Sequence, residues 1–133
     1  MGLIQTKIRL SNPAEPELAS FETEALVDTG ALHLCVPEHI AIQLELLELE
    51  KREVTLADGR KKLCSYSGPV QVECLGRSCY TGALVLGDGV LLGVIPMEDM
   101  DIVVNPATRK VTVNPDSPNI PSSLAKFSSG KFS

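Results

Sequence analysis

Residues 25–37 read ALVDTGALHLCVP. Two apolar residues lead into Asp28-Thr29-Gly30, and an apolar run resumes at once. A carboxylate in such company is costly to keep ionised, so it calls for a partner, a proton or a function. Upstream, Phe21, Thr23, Ala25 and Val27 alternate with polar residues and run straight into Asp28. That period of two marks a strand with the acid at its end. Downstream, LHLCV at 32–36 reads as another short strand.

The same period extends along most of the chain. Ile4, Thr6, Ile8 and Leu10 alternate before the two prolines of SNPAEPE, so this run and residues 21–27 form a hairpin with a long loop. Pro37 stands where a helix can start, and PEHIAIQLEL has the composition for one or two turns. EVTL at 53–56 resumes as a strand, Asp58-Gly59 is a two-residue hairpin signal, and KKLCSY returns. Ser67-Gly68-Pro69 marks a break, and PVQVECL and CYTGALVL follow as strands joined at Gly76-Arg77. Gly87-Asp88-Gly89 turns into VLLG, VIPMEDM suits a short helix, and IVVNPATRKVTVNP reads as a last hairpin around Asn105-Pro106-Ala107-Thr108. The expectation is about eight short strands and two short helices. From Asn114 on, three prolines and six serines replace the periodicity, so residues 114–133 are expected to be a flexible tail behind a domain spanning residues 1–113.

Bulk properties bound the function. With 133 residues the chain fits one domain, and 44% apolar with 22% charged residues is ordinary for a globular protein. No apolar run is long enough to span a bilayer, and no secretory leader is visible, so a cytoplasmic protein without membrane partners is expected. Gly2 and Thr6 fit the loose acylation pattern Met-Gly-x-x-x-Ser/Thr, a match that chance explains equally well. A net charge of −5 argues against nucleic acid as a partner. Against that charge stands a basic island of Lys51, Arg52, Arg60, Lys61 and Lys62. A solvated hairpin accounts for it, and a bias toward acidic peptides is the functional alternative. Cys35, Cys64, Cys74 and Cys79 form no CxxC pair, so reduced buried thiols are expected and no metal. His33 and Cys35 fall on one strand face but are poorly spaced for a nucleophilic pair, and His33 and His39 are expected to serve packing or to lie exposed.

The chemistry therefore centres on Asp28. Gly30 allows a sharp turn and presents an amide toward the carboxylate, while Thr29 is small and able to hydrogen-bond a neighbouring loop. One aspartate cannot both activate a water and protonate a carbonyl oxygen. Two carboxylates sharing a proton can. The plain alternative is a turn aspartate that caps backbone amides.

Four features in order carry a resemblance: the segment Leu26-Val27-Asp28-Thr29-Gly30-Ala31, the hairpin VTLADGRKKLC about thirty residues later, the segment Leu91-Leu92-Gly93, and the short helix VIPMEDM. In this arrangement the chain resembles the retropepsin-like aspartic proteases over residues 3 to 113. The resemblance implies an all-β, closed acid-protease barrel with one or two short helices. It implies an aspartic endopeptidase without cofactor, with catalytic Asp28, Thr29 and Gly30 and a flap tip at Ala57, Asp58, Gly59 and Arg60 over an extended peptide. Leu91-Leu92-Gly93 would thread behind the catalytic loop. No second Asp-Thr-Gly or Asp-Ser-Gly exists, so the site would be half of one completed by a homodimer, with Thr29 bonding across the two-fold axis. Pro115 stops strand continuation beyond the last hairpin, where viral relatives interleave their termini. A catalytically silent peptide-binding or dimerisation module on the same fold is the alternative.

Overall fold

The structure, a computed structural model, describes residues 3–125. Gly2 and residues 126–133, the latter part of the expected tail, lie outside the described residues. Strands β1 (Gln5–Ser11) and β2 (Phe21–Val27) form the expected antiparallel hairpin, in register from Gln5↔Leu26 to Leu10↔Phe21. Alternation turns Ile8, Leu10 and Ala25 into the core and leaves Glu22 and Glu24 outside. Then come β3 (Leu34–Val36), helix α1 (Glu38–Gln43), β4 (Leu47–Thr55), β5 (Lys61–Cys74), β6 (Arg77–Val85) and β7 (Leu91–Leu92). Helix α2 (Val94–Met100) and the separate hairpin of β8 (Ile102–Asn105) and β9 (Lys110–Val113) complete the described elements.

The strand order is β1-β2-β7-β3-β6-β5-β4, and β5 also pairs with β1 through Arg9↔Glu73, Leu10↔Val72 and Ser11↔Gln71. That pairing closes six strands into a barrel, with β4 as a flange outside it. Ile8, Leu10, Leu34, Val36, Val70, Val72 and Leu92 fill the interior, and Met97 and Met100 of α2 close one side. Nearly every fully buried large side chain is aliphatic, so burial of apolar area is the main source of stability. No helix among the described residues is long and apolar enough to cross a membrane.

Several boundaries differ from those expected. The break at Ser67-Gly68-Pro69 is not a strand end: β5 runs through it for 14 residues. The irregularity is absorbed as a register shift against β6 between Ser67 and Val70, a bulge position that tolerates an amide-less proline. Helix α1 stops at Gln43 because Leu44 turns into the core and Glu45 adopts a left-handed φ of 51°. The following Leu-Glu-Leu-Glu alternation joins β4, which therefore starts at Leu47 rather than Glu53. At the tip of the β4–β5 hairpin, pairing ends at Thr55↔Lys61. Residues 56–60 form a wider loop than the two-residue turn expected, closed by the Leu56 amide on Arg60 O at 2.7 Å. The described strands number nine.

Candidate functional site

Asp28 is the residue that follows β2, and its position is set by β7. The Leu26 amide donates to Val90 O at 2.9 Å and the Asp28 amide to Leu92 O at 3.1 Å, so the end of β2 is sewn to β7 in parallel. On its other side β7 pairs with β3 through Cys35↔Leu91. The loop between β2 and β3 is thus held from beneath by the strand lying between them. Gly93 makes this possible. A Cβ there would stand 2.5 Å from His33 O and 2.6 Å from the Leu32 carbonyl carbon, so only glycine allows the two backbones so close. Immediately beyond it, the Val94 and Ile95 amides at the start of α2 donate to Ala31 O and Leu32 O, each at 2.9 Å.

Within the loop, the Ala31 amide bonds Asp28 O at 3.2 Å, and the Gly30 amide donates to Asp28 Oδ1 at 2.9 Å. The carboxylate is thereby oriented without a counter-ion: among the described residues it makes no salt bridge. Asp28 is half-buried, whereas Thr29 and Gly30 are exposed. The Thr29 hydroxyl has no hydrogen-bond partner among the described residues. Leu32 and Ile95 beside them are 61% and 44% exposed.

Asp28 opens onto a cleft of about 590 Å³. Its lining is mostly apolar and includes Leu32, Val54, Leu56, Leu84, Leu86 and Leu91. A smaller concavity of about 300 Å³, formed by Leu26 and residues 86–91, shares Cys35, Leu86 and Leu91 with it. Of the four residues expected at the flap tip, Ala57 borders the cleft. Asp58, Gly59 and Arg60 are exposed beyond its lining, with Asp58 accepting from the Arg60 side chain at 2.6 Å. Gly59 takes a φ of 87°, the left-handed conformation that the loop requires there.

A second cluster on the cleft wall is invisible to sequence spacing. The Arg52 guanidinium lies 3.9 Å from the Tyr66 ring centroid, a cation–π contact, and its Nη1 is 3.3 Å from His33 Nε2. His33 in turn meets Tyr66 edge-on at 5.8 Å. Burial, and then the Arg52 charge, pull the His33 pKa below its ordinary value. A neutral ring accepts from Arg52. Burial pushes the Cys35 thiol up, with Cys64 and Asp28 adding to the effect. His33 precedes β3 rather than lying on it, yet both it and Cys35 line the cleft, and a protonated thiol beside an occupied imidazole is not an activated nucleophile.

The remaining cysteines are buried and unbridged, and burial raises Cys79 to about 12. Among the described residues no three His, Cys, Asp or Glu side chains gather as metal ligands. No family model matches the chain, and no curated protein matches it.

Proposed function

We propose that the protein is an aspartic endopeptidase that works as a homodimer, with Asp28 of each copy forming a carboxylate pair. The observation that carries this reading is the state of Asp28. Among the described residues it is a carboxylate without a counter-ion, oriented by the Gly30 amide on a loop that β7 and α2 hold, at the edge of an apolar cleft. Such a hold is what acid/base work demands and what a capping aspartate does not need. Glu53 is the other acid of the cleft, and it is paired with Lys61 at 3.7 Å. The second carboxylate therefore comes from a two-fold copy. The bare Thr29 hydroxyl and the exposed Leu32 and Ile95 lie where that copy would dock.

In this mechanism the two Asp28 carboxylates share one proton and hold a water between them. One carboxylate takes the water's proton as its oxygen attacks the scissile carbonyl carbon. The other gives its proton to the carbonyl oxygen. On collapse of the diol the first passes the water-derived proton to the amine nitrogen, the second recovers a proton from a diol hydroxyl, and the C–N bond breaks. The peptide lies extended between the β4–β5 hairpin and the barrel, with apolar side chains in the cleft.

Asp28→Asn keeps the shape of the loop and removes the shared proton. Cleavage of a proteome-derived peptide mixture should fall by about 10²–10⁴-fold in the variant while its thermal unfolding stays close to that of the wild type. Wild-type activity should also fall as the square of concentration once the dimer dissociates on dilution. Cleavage that survives Asp28→Asn, or activity strictly proportional to concentration in a monomeric sample, would remove the reading. Asn114 and Ser122 of the described C-terminal segment are tied to Asp101 of their own chain. That observation favours the second reading, a peptide-binding module on this barrel without turnover, and a silent but dimeric wild type would select it.

A further inference from the structure

We propose that Arg52 is the specificity residue of the cleft and receives the side-chain carboxylate of an aspartate or glutamate in the bound peptide. This rests on the reading of the cleft as a peptide site. Of the five cations in the basic island, Arg52 is the one that lines the cleft. Lys51 pairs with Glu48, Arg60 with Asp58 and Lys61 with Glu53, all on exposed surface.

Arg52 is also held ready. Its face stacks on Tyr66, Nε donates to Glu50 Oε2 at 2.7 Å, and Nη1 reaches His33. Tyr66 is itself seated over Gly82, where an added Cβ would stand 2.4 Å from the ring. The glycine gives the ring its place, the ring gives the guanidinium its place, and the entropy of ordering a long side chain is already spent. Nη2 has no partner among the described residues, and the side chain keeps 36% of its surface exposed. A carboxylate can therefore take Nη2 and the outer Nη1 hydrogen as a fork.

Among the described residues, Asp28, Glu50 and Glu53 are the acids that face this point, and Glu50 offsets part of the Arg52 charge. Glu50 occupies Nε from the exposed side, Glu53 is engaged by Lys61, and His33 is neutral when it accepts from Arg52. The rest of the wall is mostly aliphatic, so a peptide acid bound there has Arg52 as its partner. A glutamine in its place offers Nη2 a neutral amide oxygen instead of a carboxylate, and discrimination follows from the lost charge-assisted bond.

The test uses fluorescein-labelled octapeptide pools, randomised except for Glu or Gln fixed at one position in turn. Both cleavage and anisotropy binding are measured, the latter with the Asp28→Asn variant so that nothing is consumed. The expected result is a preference of about tenfold for Glu over Gln at one position, and in Arg52→Gln the Glu-to-Gln ratio at that position falls to about one. Tyr66→Leu, which leaves the charge but removes its platform, should weaken the preference in part. Cleavage without any Glu preference, or an Arg52→Gln variant that loses Glu and Gln pools equally, overturns the proposal. If no pool is cleaved, the endopeptidase reading fails separately. The binding data then decide: a Glu preference that needs Arg52 upholds the inference, and its absence overturns it.

Discussion

His33 sits at the boundary between packing and chemistry. Its ring packs against Tyr66, receives Arg52, and shares the cleft with Asp28, Cys35 and Glu53. Because its folded pKa lies below the ordinary 6.5, the unfolded chain binds a proton that the folded chain does not. Folding stability should therefore fall as pH drops through 6.5, until the folded ring itself protonates. Urea unfolding of wild type and His33→Gln at about pH 7.5 and about pH 5.5 checks this: the variant should lose part of the pH dependence. An equal slope in both proteins would mean that His33 is not the group responsible. Spacing placed His33 and Cys35 on one strand face, but β3 starts at Leu34 and His33 precedes it, although both line the cleft. Nor could spacing reveal that Arg52 and Tyr66, from β4 and β5, come to meet the imidazole. Those contacts depend on the Glu50↔Tyr66 and Arg52↔Cys64 register, which follows a bulge between Glu48 and Glu50 that no periodicity announces.

Among the elements, the two-residue strand β7 carries more than its length suggests. It joins β2 to β3, delivers Leu92 to the core, and ends in Gly93, where α2 takes hold of the Asp28 loop. Gly93→Ala pushes a methyl group into the Leu32–His33 backbone, which cannot swing aside as a side chain could. The expected cost is about 1–3 kcal/mol of stability by thermal or urea unfolding, with cleavage lost out of proportion because the Asp28 loop must shift. A variant of wild-type stability and activity would show that the loop is not pinned there. The Leu91-Leu92-Gly93 segment was legible as a feature of the chain, but a run this short has no strand signal of its own. Its pairing on both sides is a property of the closed sheet. The same reason explains why β5 crosses Ser67-Gly68-Pro69 unbroken. Partners on both sides hold the strand together where its local residues ask for a turn.

At the scale of the whole molecule, residues 114–122 beyond β9 are fastened by one charged centre. Asp101, the left-handed residue after α2, accepts from the Ser117 hydroxyl, the Asn114 amide group and the Ser122 backbone N–H, with the Arg77 guanidinium nearby. Arg77 is buried and also donates to Asp101 O and Ser117 O. These bonds, led by that of Ser117, lower the Asp101 pKa from 3.8 to about 2. Its contribution to stability is thus full above pH 3.8 and is lost as pH falls from there through about 2. Asp101→Asn should flatten that window in acid-unfolding curves and speed proteolysis of residues 114–122. Unchanged curves and unchanged proteolysis would mean that this centre does not hold the segment. Composition registers the absence of a hydrophobic period from Asn114 on, and it does not register the few polar bonds that Asn114, Ser117 and Ser122 make to Asp101.

The sequence by itself determined the strand-rich class, the β1–β2 hairpin, the place of α2, and the position of a lone Asp-Thr-Gly at a strand end. These are local properties, set by alternation and by turn residues within a few positions. Only the tertiary structure decided that β5 returns to β1 to close the barrel, that β7 runs beneath the Asp28 loop, and that one cation of five faces the cleft. Each of these depends on which distant residues pair and in what register. With a side-chain period of two, a slip of one position would send Arg52 to the opposite face of its strand.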